Sequence, residues 1–342
     1  MYKSISINKN KSVNILDQRL LPFQHKYIKT SDYKEVIKLI KSLAIRGAPA
    51  IGVAGAFACF FALKKLRNKK NYISSLEKSL NQIEKARPTA VNLSWSVERF
   101  RKIIMNNRDL PYLHCIELFY KEANKIYNEE KKVSERISIN GLKLIRNNYK
   151  ILTHCNTGAL ATTGPGTALG IIDYANKKFE NINLYATETR PLNQGSRLTV
   201  WESSMKGIDC TLICDSMVSY IINSENIDII IVGADRIAMN GDIANKIGTY
   251  QLAITANYHK IPFYVAAPIS TFDMDIVSGD DIIIEERSRD EILKLKNIRI
   301  SKAVKVQNPA FDVTPNNLIS GIVTEKGIIT KPSLKKIKKF FK

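Results

Sequence analysis

The apolar positions of this chain recur with two different rhythms, and the change between them divides it. Residues 1–30 are polar and β-prone and end in an extended run, so a short β-meander is expected there. From Ser31 the apolar residues fall three and four apart, the spacing that lines one face of a helix. This pattern predicts helices over 33–43, 49–66, 72–86, 93–106 and 112–149, the last with a possible break. After Lys150 short apolar runs at 151–156, 183–188, 210–214, 227–232 and 262–267 alternate with helical segments such as 167–177 and 244–259. Short buried strands separated by helices are the pattern of a parallel, doubly wound sheet. The expectation is an α/β chain: a mixed β/helical N-terminal domain over 1–148 and a parallel-sheet domain over 149–342.

In such sheets ligands bind beyond the carboxyl ends of the strands, which directs attention to the residues that follow each one. The first strand runs into His154-Cys155-Asn156-Thr157-Gly158 and a small-residue loop that opens into a helix, where backbone N–H groups can approach an anion. The glycines are wrongly placed for a dinucleotide fingerprint, and no lysine follows as in a Walker loop. Cys155 stands at the switch from strand to loop, where a thiol can be aimed into a cleft. An isolated cysteine there is more often a buried structural thiol, and position alone does not separate the two readings.

The second strand is followed by Glu188-Thr189-Arg190-Pro191-Leu192-Asn193-Gln194-Gly195, charge and amides suited to hydroxyl and phosphate recognition or to an ordinary polar loop. The fourth is followed by Gly233-Ala234-Asp235-Arg236 and, further on, Asn245-Lys246. Partial desolvation at the sheet's end raises a carboxyl pKa and makes Asp235 a candidate proton donor; a helix cap or an ion pair with Arg236 is the plainer alternative. Lys246 offers a point charge for phosphate. In the helical half, Arg46-Gly47-Ala48-Pro49 and Arg87-Pro88 each set an arginine before a helix-starting proline.

Composition narrows the classes. At 342 residues, 44% hydrophobic and 25% charged, the chain can bury a substantial core and is long enough for two domains. The net charge of +20 includes lysine clusters at Lys64-Lys65, Lys69-Lys70, Lys131-Lys132 and Lys335-Lys336-Ile337-Lys338-Lys339. None is interleaved with the aromatics and glycines of an RNA-binding strand, so the excess reads as compositional bias whose positive field suits anionic substrates, with no nucleic-acid partner. The five cysteines, Cys59, Cys115, Cys155, Cys210 and Cys214, are odd in number and scattered, which suits reduced thiols, and the Cys210/Cys214 spacing has no second ligand pair nearby to make a zinc site. The first residues lack a signal peptide's apolar run. The longest apolar stretch, 48–63, contains Pro49 and two glycines and is too short to span a bilayer. A soluble cytoplasmic protein with no membrane partner is expected.

Taken together, the strings at 45–52, 87–93, 153–170, 186–202, 233–252 and 308–315 resemble the methylthioribose-1-phosphate isomerase family of methionine salvage. That family is related to ribose-1,5-bisphosphate isomerase and to the regulatory subunits of the translation initiation factor 2B exchange factor. The likeness runs from about residue 16 to 326, and its specificity lies in Cys155 and Asp235 both falling within long matching flanks. It implies a Rossmann-like second domain, a homodimer, a sugar-phosphate substrate, aldose–ketose isomerase activity, and neither metal nor nucleotide cofactor. It also implies roles for single residues: Asp235 as proton donor and Cys155 as second catalytic residue. Arg46, Gly47, Ala48, Arg87, Gln194, Asn245 and Lys246 fall at its substrate-contacting positions. The stretch 203–206 and the basic tail are less typical, away from these positions. Two other readings stand beside it, a sister isomerase of the same fold and a non-catalytic regulatory subunit. Retention of both Cys155 and Asp235 speaks against the second.

Overall fold

The polar opening forms three strands, β1 (Ile5–Ile7), β2 (Val13–Leu16) and β3 (Tyr27–Thr30), paired in that order as an antiparallel meander. The computed structural model describes residues 2–67, 72–87, 90–107, 111–293, 301 and 304–342. The Lys69-Lys70 cluster, and Pro88 and Thr89 of the second arginine string, lie outside the described residues.

Five helices follow: α1 (Tyr33–Lys41), α2 (Ala48–Lys64), α3 (Tyr72–Glu84), α4 (Val91–Asn106) and α5 (Tyr112–Gly141). Asp32 caps α1 by accepting the Lys34 N–H, satisfying one of the donors a helix start leaves free. α2 is apolar on every side and therefore has to be surrounded; sixteen of its seventeen residues are buried among the other four helices. Gly52 and Gly55 let α4 approach it. A Cβ on them would lie 2.9 Å from Asn92 O and 2.3 Å from Leu93 Cδ1. α5 runs unbroken to Gly141, with Ala123 and Ile126 in this helical core and Ile137 in a second core under the large sheet.

The rest of the chain supplies β4 (Lys150–Thr153), α6 (Ala168–Lys178), β5 (Asn183–Thr187), α7 (Val200–Lys206), β6 (Asp209–Ile213), α8 (Val218–Glu225), β7 (Ile229–Val232), β8 (Arg236–Ile237), β9 (Ile243–Lys246), α9 (Thr249–Tyr258) and β10 (Phe263–Ala266). α10 (Asp290–Leu293), β11 (Phe311–Thr314), β12 (Gly321–Thr324), β13 (Gly327–Thr330) and α11 (Leu334–Phe341) complete it. Seven strands form one sheet in the order β13-β12-β10-β7-β4-β5-β6, parallel throughout except for the β12–β13 hairpin. Separate apolar cores cover its two faces, as a sheet buried on both sides requires. Among the described residues no helix is long and apolar enough to cross a membrane.

The sequence pattern located five of the six parallel strands, missing β12, and read 244–259 as one helix. There Ile243–Lys246 is instead a strand, paired antiparallel with β11 and β8 in a second small sheet. Gly248, at φ +100, turns the chain into α9 afterwards. β8 is a two-residue strand joined to β9 by a short turn, and the longer partner β11 lies more than sixty residues away, beyond the reach of any local periodicity.

Candidate active site

The chain moves outward from β4 to β5 and β6, then returns to β7 and moves out the other way to β10 and β12. The connections leaving β4 and β7 therefore diverge and open a crevice at their carboxyl ends, the topological switch point of a doubly wound sheet. Thr153 Oγ1 donates to Ile231 O at 2.7 Å and ties the two strands just below it. Cys155 lies two residues beyond β4, and Asp235 three beyond β7.

Helices from the first half close over this crevice. One cavity is lined by Arg46, Gly47, Ala48 and Arg87 from the helical side and by Cys155, Gln194, Asp235, Asn245 and Lys246 from the sheet side. All nine residues to which the resemblance gives a catalytic or substrate-contacting position thus line the same cavity, whereas Glu188 and Arg190 of the second strand's loop do not. Gly47 makes the approach possible: its φ is +88, and a Cβ there would sit 2.5 Å from Ala161 Cβ, in the loop after β4. Neither the backbone conformation nor the space admits a side chain.

Arg46 is buried and forked. Its Nη1 donates to Asn156 Oδ1 at 2.7 Å, its Nη2 donates to Asn156 O at 2.8 Å, and Nη2 lies 3.9 Å from Cys155 Sγ. Asn156 is itself held by Glu202, which accepts from Asn156 Nδ2 at 3.3 Å and from the N–H groups of Ala159 and Leu160 at 2.7 and 2.8 Å. Cys155 takes the left-handed φ of +63. Its N–H donates to Thr189 Oγ1 at 2.9 Å and its carbonyl accepts from Thr199 Oγ1 at 2.5 Å. The expected anion cradle at the next helix is partly taken, since the Leu169 N–H at the start of α6 donates to Thr157 Oγ1 at 3.1 Å.

Asp235 is partly buried, and its N–H donates to Ala244 O at 2.9 Å. Burial pushes its carboxyl above the usual range; Arg87, Lys246 and Arg46 oppose that rise and Glu285 adds to it. The alternative pairing with Arg236 is not made, because Arg236 Nη1 lies 3.3 Å from Asp273. Lys246 Nζ donates to Ala310 O at 2.9 Å and stands 4.8 Å over the Phe311 ring. Burial draws its ammonium below the usual lysine range, and the nearby Cys155 is the first group opposing this. Arg87 also stands over the Phe311 ring, at 5.9 Å, and has Glu285 at 3.7 Å, a loose ion pair. Among the described residues Arg87 Nε and Gln194 Oε1 are both buried without a hydrogen-bond partner, as suits groups that bind a polar ligand.

Sequence reading missed Arg287, Asn156 and Phe311, which line the same cavity. Phe311 lies inside the matched string 308–315, which could have flagged it. Arg287 sits in the charged run Glu285-Glu286-Arg287-Ser288-Arg289 and carries no positional signal. In the fold it is held by Glu285 at 2.9 Å and Glu291 at 2.6 Å.

Fold and site define a class: a doubly wound α/β protein whose switch-point crevice gathers a thiol, a desolvated carboxyl and several cations beneath a helical cover. The chain belongs to the initiation factor 2 subunit family, whose model matches residues 44–331. It is 46% identical over 333 residues to the methylthioribose-1-phosphate isomerase of Thermoanaerobacter sp. (strain X514), covering 96% of each chain. Among solved structures it is similar to 5-methylthioribose 1-phosphate isomerase from Pyrococcus horikoshii OT3, at 40% identity and a TM-score of 0.89, covering 100% of this chain and 96% of that one. It is also similar to the translation initiation factor eIF-2B, subunit delta, from A. fulgidus. There the identity is 38% and the TM-score 0.82, over 99% of this chain and 100% of that one.

Proposed function

We propose that this chain is an aldose–ketose isomerase that converts 5-methylthioribose 1-phosphate into 5-methylthioribulose 1-phosphate in methionine salvage. The observation that carries the reading is the shared crevice, with Cys155 and Asp235 at the ends of adjacent strands and Arg46, Arg87, Lys246 and Arg287 around them. In an aldose 1-phosphate the anomeric oxygen is blocked by phosphate, so the ring cannot open as a free hemiacetal does. An acid must protonate the ring oxygen as its bond to C1 breaks. Asp235, with its carboxyl raised by burial, is assigned that proton transfer. Hydrogen then moves from C2 to C1. Cys155 either carries a proton through an enediolate or polarises and shields the site while hydride passes directly. Arg46, Arg87, Lys246 and the Gly47–Ala48 backbone are assigned to the phosphate, and Gln194 and Asn245 to the sugar hydroxyls.

The test is turnover followed by NMR with 5-methylthioribose 1-phosphate, ribose 1,5-bisphosphate and 5-deoxyribose 1-phosphate in parallel. Ketose formed chiefly from the methylthio sugar is expected. Preference for another sugar would keep the chemistry and move the pathway. No turnover of any would favour the regulatory-subunit reading, to which the likeness to the A. fulgidus protein lends weight.

We further infer a homodimer. β6 is an edge strand with Leu212 exposed, and Met217, Tyr220, Tyr250, Ile254 and Tyr258 are exposed on and beside α8 and α9. A monomer in sedimentation velocity would refute it. The division into domains at 148/149 falls after α5 passes from the helical core to the core beneath the sheet; limited proteolysis that cuts first elsewhere would move it. The five free cysteines fit a reducing cytoplasm, which subcellular fractionation checks.

A further inference from the structure

His154 does not line the cavity, yet it joins three loops that do. We propose that His154 is a positioning residue: a neutral imidazole carrying its proton on Nε2, which closes a one-way chain of hydrogen bonds. That chain holds the main chain of Cys155 in register with the turn after Asn245 and Lys246. The proposal rests on the isomerase reading of those three residues.

The chain begins at the Cys155 N–H, which donates to Thr189 Oγ1 at 2.9 Å. The Thr189 hydroxyl passes its own proton to Thr187, whose Oγ1 and carbonyl oxygen each lie 3.2 Å away. Thr187 Oγ1 is 2.6 Å from His154 Nδ1, and His154 Nε2 is 2.9 Å from Ile247 O. The two ends have no freedom of role: an amide N–H only donates, and a carbonyl oxygen only accepts. A carbonyl opposite Nε2 requires the proton there, which leaves the Nδ1 lone pair of a neutral ring to accept from Thr187. The Thr189 hydroxyl faces two acceptors on Thr187, the proton of every other link is assigned, and the tautomer follows from the geometry. His154, Thr187 and Thr189 are all buried, so water does not substitute for a lost member.

The chain has work to do because the backbone it holds is in an uncommon conformation. Cys155 at φ +63 and Thr189 at φ +65 both occupy the left-handed region, which is costly for a non-glycine residue and persists only where surrounding contacts enforce it. The chain also crosses between sheets. β4 and β5 belong to the large sheet and β9 to the small one, so the Nε2–Ile247 bond ties the Cys155 turn to the Lys246 strand across that division. Gly248 closes the fit, since a Cβ there would sit 3.2 Å from the imidazole Cε1.

Burial holds the imidazole down to about 4, so it stays neutral where the enzyme works. The charged groups acting on it are Asp215, which opposes that shift, and Lys246, which adds to it. Asp215 is fixed by accepting the N–H groups of Thr189 and Arg190 at 2.8 and 2.7 Å.

Two measurements test the proposal. In the wild-type protein, 15N NMR of the imidazole side chains should show His154 as the Nε2–H tautomer, neutral from pH 8 down to about pH 5. An Nδ1–H tautomer, or titration near the ordinary histidine value, overturns it. Second, Thr189→Val cuts the chain with little change of shape, and Thr189→Ser preserves the hydroxyl. The valine variant should lose about tenfold in kcat with KM changed by less than about twofold. It should also shift the iodoacetamide alkylation rate of Cys155, read on its peptide by mass spectrometry, by about threefold or more. The serine variant should restore both. Wild-type kcat and alkylation in a folded valine variant would overturn the proposal. The tautomer and the alkylation rate need no turnover, so they remain decisive if the isomerase reading itself fails.

Discussion

Cys155 and Asp235 follow adjacent parallel strands, but the two turns hold them by different means. The main chain of Cys155 is bonded at both its N–H and its carbonyl, in a left-handed conformation the residue would not choose alone. Asp235 has a main-chain bond to Ala244, and among the described residues its carboxyl accepts no hydrogen bond. What acts on that carboxyl is its surroundings: burial favours the protonated form, while Arg87, Lys246 and Arg46 favour the charged one. One turn controls the place of an atom and the other controls the charge of a group. Proton transfer to a sugar ring needs both, because a well-placed acid in the wrong protonation state does nothing, and neither does a protonated acid out of reach.

Removing the titratable group breaks the comparison most severely. Asp235→Asn should lower kcat by roughly a thousandfold or more while substrate binding, measured by calorimetry, stays detectable. Wild-type turnover would end the donor role. With Asp235 as the proposed donor the acid form is the active one, so kcat/KM should fall as pH rises through the elevated Asp235 pKa, and no such limb should survive in the asparagine variant. Cys155→Ser keeps the turn and changes the atom it presents; a loss of about a hundredfold in kcat with KM little altered is expected in steady-state kinetics.

Arg87→Met sharpens the contrast by removing a cation that acts on Asp235. It should raise KM by about tenfold through lost phosphate contact. Arg87 favours the carboxylate of Asp235, so its loss should also move the alkaline limb of the pH profile to higher pH. A limb that stayed put would show that Arg87 does not act on Asp235.

The smallest effect concerns the loop that follows Cys155. Glu130 on α5 accepts both the N–H and the hydroxyl of Thr163, and burial raises its carboxyl to about 7 from 4.5. Between those values the folded protein holds a proton that the unfolded chain has released, so this group's contribution to stability declines as pH rises from 4.5 to 7. Glu130→Gln is free of that decline. Relative to wild type it should gain about 1–3 kcal/mol across the window in chemical denaturation, and a constant difference would contradict the assignment.

Much of this architecture was legible along the chain because it is written locally. The apolar run of α2, the periodic faces of α1 and α3, and the short apolar stretches of β4, β7 and β10 each announce their structure within a few residues. The strand-end positions of Cys155 and Asp235 followed from the same runs. Long-range pairings were not legible. β9 was read as part of a helix because its nearby partner β8 is only two residues long and its main partner β11 is remote, and β11, β12 and β13 were not read at all. Arg287 and Asn156 joined the cavity without notice, since their importance depends on what crosses near them.

The sequence by itself determined the two rhythms, the doubly wound strand–helix alternation and the residues placed where such a sheet binds ligands, because hydrophobic period and strand-end position are properties of short segments. Only the tertiary structure decided that helices from the first half would cover the crevice, that Arg46 would grip Asn156, and that burial would outweigh three cations at Asp235 in setting its direction of shift. The same holds for the His154 chain. Its members lie at positions 154, 187, 189 and 247, and desolvation and hydrogen-bond direction have meaning only once the fold has brought them within reach.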